Sequence, residues 1–103
     1  MSEEDQKLHE LTVDALVARL KTTGTYDSID KHFEYRKGGQ LGEADVVATR
    51  GNAVHYYEVK CRANTTSYGH ALEQFDKFRR LCNVLDAKFI YVTPTTVKRV
   101  YLK

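Results

Sequence analysis

Residues 29–61 constrain this chain most, because their side chains alternate in character and glycines interrupt them at two places. Ile29, Phe33 and Tyr35 alternate with Asp30, His32, Glu34 and Arg36. A period of two is the mark of a half-buried strand, one face on a core and the other in water. Gly38, Gly39 and Gly42 break the run, and this predicts a mobile turn over residues 37–42. A second strand follows over 43–50. Gly51-Asn52 is a tight-turn pair, and a third strand covers 53–61. Three strands joined by such short connections form an antiparallel meander.

The segments on either side follow a different period. Over 3–22, Leu8, Leu11, Ala15, Leu16 and Leu20 recur at helical spacing, with Val13 and Val17 beside them. Ser2 is an N-cap, Glu3, Glu4 and Asp5 suit the positive end of the helix dipole, and Gly24 is a stop. Over 66–85, Tyr68, Ala71, Leu72, Phe75, Phe78, Cys82 and Leu85 make one apolar stripe, which predicts a second helix. Strands are predicted over 88–93, ended by Pro94, and over 97–102. The order α-β-β-β-α-β-β predicts an α/β (α+β) fold, a mixed central sheet flanked by helices. With 103 residues, the chain is expected to be a single domain over 1–103.

Composition excludes several classes. The apolar share of 42% supports a packed core rather than a disordered tail. No run of eighteen apolar residues exists to span a bilayer. The acidic start, Met1-Ser2-Glu3-Glu4-Asp5, is unlike a secretory leader, so the cytoplasm or a host cell's interior is the expected location. Sixteen basic against fourteen acidic residues leave +2, too little for net charge alone to argue for nucleic acid. Cys61 and Cys82 belong to no CxxC and are expected to stay reduced.

The chemistry concentrates on the second and third predicted strands. Alternation puts Val54, Tyr56, Glu58, Lys60 and Arg62 on one face, and Glu43, Asp45, Val47 and Thr49 share a face of the strand before. Counting outward from Gly51-Asn52 sets Asp45 beside Glu58 across the ladder. Two adjacent carboxylates repel, so the pair calls for a shared proton, a neighbouring cation or a bound metal. Lys60 supplies one positive charge, and hard oxygen ligands suit a divalent cation. The tripeptide Glu58-Val59-Lys60 means little alone, since seven Glu and nine Lys give roughly half an E-x-K by chance. Its weight comes from Asp45 at the matching height and the glycine-rich segment before it. Histidines 9, 32, 55 and 70 lack metal-ligand spacing and read as structural or surface groups.

Gly42-Glu43-Ala44-Asp45, a hairpin, and then Glu58-Val59-Lys60 resemble the PD-(D/E)xK nuclease superfamily, most of all the archaeal-type Holliday junction resolvases. The resemblance runs from residue 8 to about residue 93. Ala44 stands where the strict motif has proline. The resemblance implies a restriction-endonuclease-like core of order α-β-β-β-α-β and a Mg²⁺- or Mn²⁺-dependent endodeoxyribonuclease. Asp45 and Glu58 would bind the cation, helped by the Val59 carbonyl. Lys60 would orient the attacking water and stabilise charge at the scissile phosphate. Glu10 matches the family's helical glutamate, a metal-site residue, and Gln74 matches a polar position that faces the site in some members. Glu43 is held in reserve as a ligand or substrate contact.

DNA contacts are expected from Arg36, Lys37 and Arg62, which would hold phosphates in a salt-sensitive way. No base-reading module is visible, so backbone and shape are the expected determinants. The implied substrate is branched DNA such as a four-way junction, and a symmetric double cut implies a two-fold homodimer. A nuclease for linear, damaged or single-stranded DNA, and a non-catalytic DNA-binding module on the same fold, are the alternatives.

Overall fold

The computed structural model describes residues 3–61, 65–94 and 97–100. Helix α1 spans Glu3–Thr23, and strands β1 (Ser28–Lys37), β2 (Gln40–Arg50) and β3 (Ala53–Val59) follow. Helix α2 (Thr65–Leu81) then leads to β4 (Lys88–Val92) and β5 (Val97–Val100). The five strands form one sheet in the order β1-β2-β3-β4-β5. Neighbours are antiparallel except β3 and β4, which are parallel with α2 as their crossover. The architecture is α+β with a mixed sheet, as the alternation and helical periods predict. The predicted strand residues 101 and 102 lie outside the described residues.

Each helix covers one face of the sheet. Ala71, Phe75 and Phe78 of α2 pack on Tyr35, Val47, Tyr56, Phe89 and Tyr91. Val13 and Leu16 of α1 pack on Val46, Ala48, Tyr57, Val59, Ile90 and Val92. Consecutive residues such as Tyr56 and Tyr57 therefore serve opposite cores, which gives three layers. The α2 side is aromatic: Tyr56 lies 5.0 Å from Phe78 and 5.3 Å from Phe75, ring centre to ring centre. Burying each such ring contributes about 1.5–3 kcal/mol relative to leaving it in water. This layer forms the floor beneath Glu58.

Helix α1 departs from the predicted stripe. Its buried residues are Val13 and Leu16, with Val17 and Leu20 packed beside them, whereas Leu8 is 40% and Leu11 67% exposed. The helix carries apolar residues on two opposite sides, and the sheet takes the side with the β-branched valines. Helix α2 ends at Leu81, earlier than predicted, because Asn83 takes a left-handed φ of 55° and Val84 N–H donates to the Arg79 carbonyl at 3.0 Å. Leu85 falls beyond the helix and is exposed. Gly24 stops α1 as expected, with φ 64°.

The first hairpin is tighter than predicted. Gly38 and Gly39 alone make the turn, both at positive φ, and Gln40–Gly42 pair with Lys37, Arg36 and Tyr35. Gly42 belongs to the ladder because the Tyr35 ring lies across it, where a Cβ would collide. The glycine-rich segment thus makes room for a side chain of this chain.

Candidate active site

The β2–β3 ladder runs from Arg50↔Ala53 to Val46↔Tyr57. One step further the same register sets Asp45 opposite Glu58. There the backbone pairing gives way, and Asp45 Oδ2 accepts the Val59 N–H at 2.8 Å. The carboxylate replaces a ladder carbonyl, which brings the aspartate to the third strand. Glu58 shares the α2-side face of Tyr56, whose hydroxyl donates to Glu58 Oε2 at 2.7 Å. Lys60 Nζ stands 3.7 Å from Glu58 Oε1, with the Lys60 side chain about one third exposed. The Lys60 backbone is fixed by its N–H, which donates to the Val92 carbonyl at 2.9 Å. Asp45, Glu58 and Lys60 are therefore brought together as the strand register predicts.

Glu58 is the electrostatic centre of the group. Burial first, then the charge of Asp45, push its carboxyl up to about 8, and a hydrogen bond between the two carboxyls adds to the rise. The Tyr56 hydroxyl and the Lys60 ammonium pull the other way without overcoming it. Burial beside Asp45 thus favours the protonated form of Glu58. Tyr56, buried and beside Glu58, has its hydroxyl raised far beyond its usual range and remains a donor. Burial, and the charge of Glu58 among other neighbours, also raise Tyr35 and Tyr91.

The helical glutamate is placed differently from the expectation. Glu10 Oε1 lies 2.8 Å from His32 Nε2, and His32 Nδ1 lies 3.1 Å from Glu43 Oε1. It is His9, one residue earlier on α1, that reaches Asp45, with Nε2 3.3 Å from Oδ1. Spacing marks His9 and His32 only as structural or surface groups, yet both stand at the carboxylate cluster. Once Val13, Leu16 and Leu20 are seen to face the sheet, His9 continues that side of α1 by one turn. Partial burial pulls the His32 imidazole down, but Glu10 and then Glu43 outweigh it and leave it above its usual value.

Gln74 lines a groove of about 470 Å³ between the first hairpin and α2, with Leu41, Gly42, Glu43, Glu73 and Lys77. Its backbone carbonyl accepts the Tyr35 hydroxyl at 3.5 Å, and Lys77 Nζ bridges the groove to the Leu41 carbonyl at 2.7 Å. Arg36 and Lys37 are exposed at the far end of β1. They lie four and five residues beyond the rung of His32 and Asp45, about 13–17 Å along the strand. Arg62 lies outside the described residues. Tyr56 is fully buried.

The donor set suits a divalent cation. Asp45 and Glu58 offer hard oxygens crowded together, with the ammonium of Lys60 near Glu58, and the charge of Asp45 raises the Glu58 carboxyl. On that chemistry the pair fits Mg²⁺ or Mn²⁺. Among the described residues no three His, Cys, Asp or Glu side chains are grouped to hold a metal ion as they stand.

No family model matches the chain, and no curated protein matches it. Among solved structures it is similar to the protein described as SSO0001, with a TM-score of 0.62 and 18% identity. The match covers 95% of this chain and 50% of that one, so the chain spans about half the length of this structural relative. The likeness is one of fold. Among the described residues no helix is long and apolar enough to cross a membrane.

Proposed function

We propose that the chain is a metal-dependent endodeoxyribonuclease that acts within the cell and hydrolyses phosphodiester bonds, with branched DNA such as a four-way junction as its substrate. The observation that carries the reading is Glu58, buried against Asp45 and 3.7 Å from Lys60. A strand-borne carboxylate pair costs stability unless it holds a proton or a cation, and it stands beside an ammonium able to meet a phosphate. Asp45 and Glu58, with the Val59 carbonyl, would hold Mg²⁺ or Mn²⁺, which when bound supplies an acidified water and neutralises charge at the phosphate. Lys60 orients the attacking water and holds the developing negative charge. Tyr56 keeps Glu58 in place by donating to its Oε2. Arg36 and Lys37, with Arg62, hold phosphates flanking the cut, and two copies related by a two-fold axis cut opposing strands.

Labelled four-way junction, incubated with Mg²⁺ or Mn²⁺, tests this directly. Cleavage by the wild type and none by Glu58→Ala is the expected result. If no DNA form is cut, or if both proteins behave alike, the reading fails. A panel of linear, damaged and single-stranded DNA then decides the substrate class. The alternative on the same fold is a non-cutting DNA-binding module. Calorimetry separates the two, because the nuclease takes up Mn²⁺ and the module binds DNA in a salt-sensitive way without it.

A further inference from the structure

The two cores reveal a break in the alternation of β1 and β2. Ile29 packs in the α1 core, whereas Phe33 and Tyr35 pack in the α2 core, although an even spacing should keep all three on one face. On the partner strand, Ala44 packs in the α2 core and Val46 and Ala48 in the α1 core. Both reversals fall on one rung. The ladder pairs Lys31 with Val46 and Phe33 with Ala44, so His32 stands opposite Asp45. The register is the same on either side of that rung, so neither strand gains a residue. This differs from a bulge, in which one strand carries an extra residue.

His32 takes a left-handed φ of 54°, a conformation that side-chain-bearing residues adopt rarely. Its ring is gripped from two sides, by Glu10 of α1 at 2.8 Å and by Glu43 of β2 at 3.1 Å. Glu43 is two residues from Asp45, and Glu10 is next to His9, which itself touches Asp45. We infer that His32 is a positioning residue: its left-handed backbone, pinned by Glu10 and Glu43, turns both strands over and aims Asp45 at the third strand beside Glu58. The bond from Val59 N–H to Asp45 Oδ2 is the direct product of that turn. The inference rests on the nuclease reading only for its consequence in cutting, since the geometry stands without it.

The amide of Val59 is the reporter. Its proton shift and exchange rate, measured by NMR, show whether Asp45 still accepts from it, and Asp45→Ala sets the values for a lost acceptor. Glycine adopts the left-handed region freely and valine does not. His32→Gly should therefore keep the Val59 signal near wild type. His32→Val should move it to the Asp45→Ala position, with exchange at least about tenfold faster. A wild-type signal in His32→Val overturns the inference, as does an equal loss in both variants. Should His32→Val fail to fold, the double variant Glu10→Ala, Glu43→Ala frees the ring at two exposed positions. A shift part way toward Asp45→Ala supports the pinning, and an unchanged signal overturns it. Junction cleavage is assayed separately, so a wild type that cuts nothing sinks the nuclease reading and leaves the NMR result standing.

Discussion

Glu58 is a carboxyl buried beside another carboxyl, and its raised affinity for a proton ties stability to pH. Its value in the folded chain, about 8, lies above the ordinary value of 4.5. The folded state therefore binds more protons than the unfolded one between those values. The stabilisation is fully present below about pH 4.5 and is lost as pH rises through 8, with a slope of up to about 1.4 kcal/mol per unit. His32, also raised, adds in the same direction above its ordinary 6.5. The melting temperature of metal-free protein should fall between pH 5 and pH 8. Glu58→Gln should flatten most of that fall, leaving the His32 part. At roughly 4–8 °C per kcal/mol for a domain of this size, scanning calorimetry resolves it. Lys60 permits a second test at the same scale. Lys60→Ala should lower the cutting rate about 10²–10³-fold while leaving junction affinity within a few-fold, measured by single-turnover cleavage and by binding in Ca²⁺. Normal cutting by that variant removes Lys60 from the mechanism. The pairing of Asp45 with Glu58 is legible in the sequence because hairpin register is arithmetic once the turn is known. The places of His9 and Glu10 are not, because sequence fixes which residues share a side of α1 but not which side meets the sheet.

At the scale of elements, glycine separates two kinds of constraint. Gly42 in β2 lies under the Tyr35 ring of β1, and a methyl group there has no space. Gly42→Ala should destabilise the chain by about 1–3 kcal/mol through overpacking. Gly69 in α2 meets nothing within 4 Å of where its Cβ would stand and has no positive φ. Gly69→Ala should stabilise by about 0.5–1 kcal/mol through helix propensity. Urea unfolding of the two variants should give shifts of opposite sign, and a common sign contradicts the described packing. Most elements are readable from sequence because their periods are long and uninterrupted. The exceptions share a cause. Asn83 and His32 carry left-handed backbones that no hydrophobic period announces. Asn83 has a compositional hint, since asparagine tolerates that region. Histidine is also enriched there, but the alternation of 29–36 gives no sign of the reversal within it.

For the whole molecule, the nuclease reading implies that a proton and a divalent cation would compete for one carboxylate pair. Three layers leave Glu58 little access to water, so its charge cannot be screened by solvent and must be balanced locally. A proton does this at low pH, and Mg²⁺ or Mn²⁺ would do it at higher pH. On that reading the two could not be bound in full together, which would couple global stability to both. Ligand that binds only the folded state stabilises by RT ln(1 + [L]/Kd), about 2.7 kcal/mol at a hundredfold excess over Kd. At a fixed Mn²⁺ concentration the gain in melting temperature should therefore be small at pH 5.5, where the proton holds the site. It should grow toward pH 8.5, where the proton has left. Glu58→Gln, lacking the titrating group, should show a small gain at both. A Mn²⁺ gain in the wild type that is equal at the two pH values would mean that the ion binds elsewhere. The carboxylate pair would then stand as a buried proton site without a metal function.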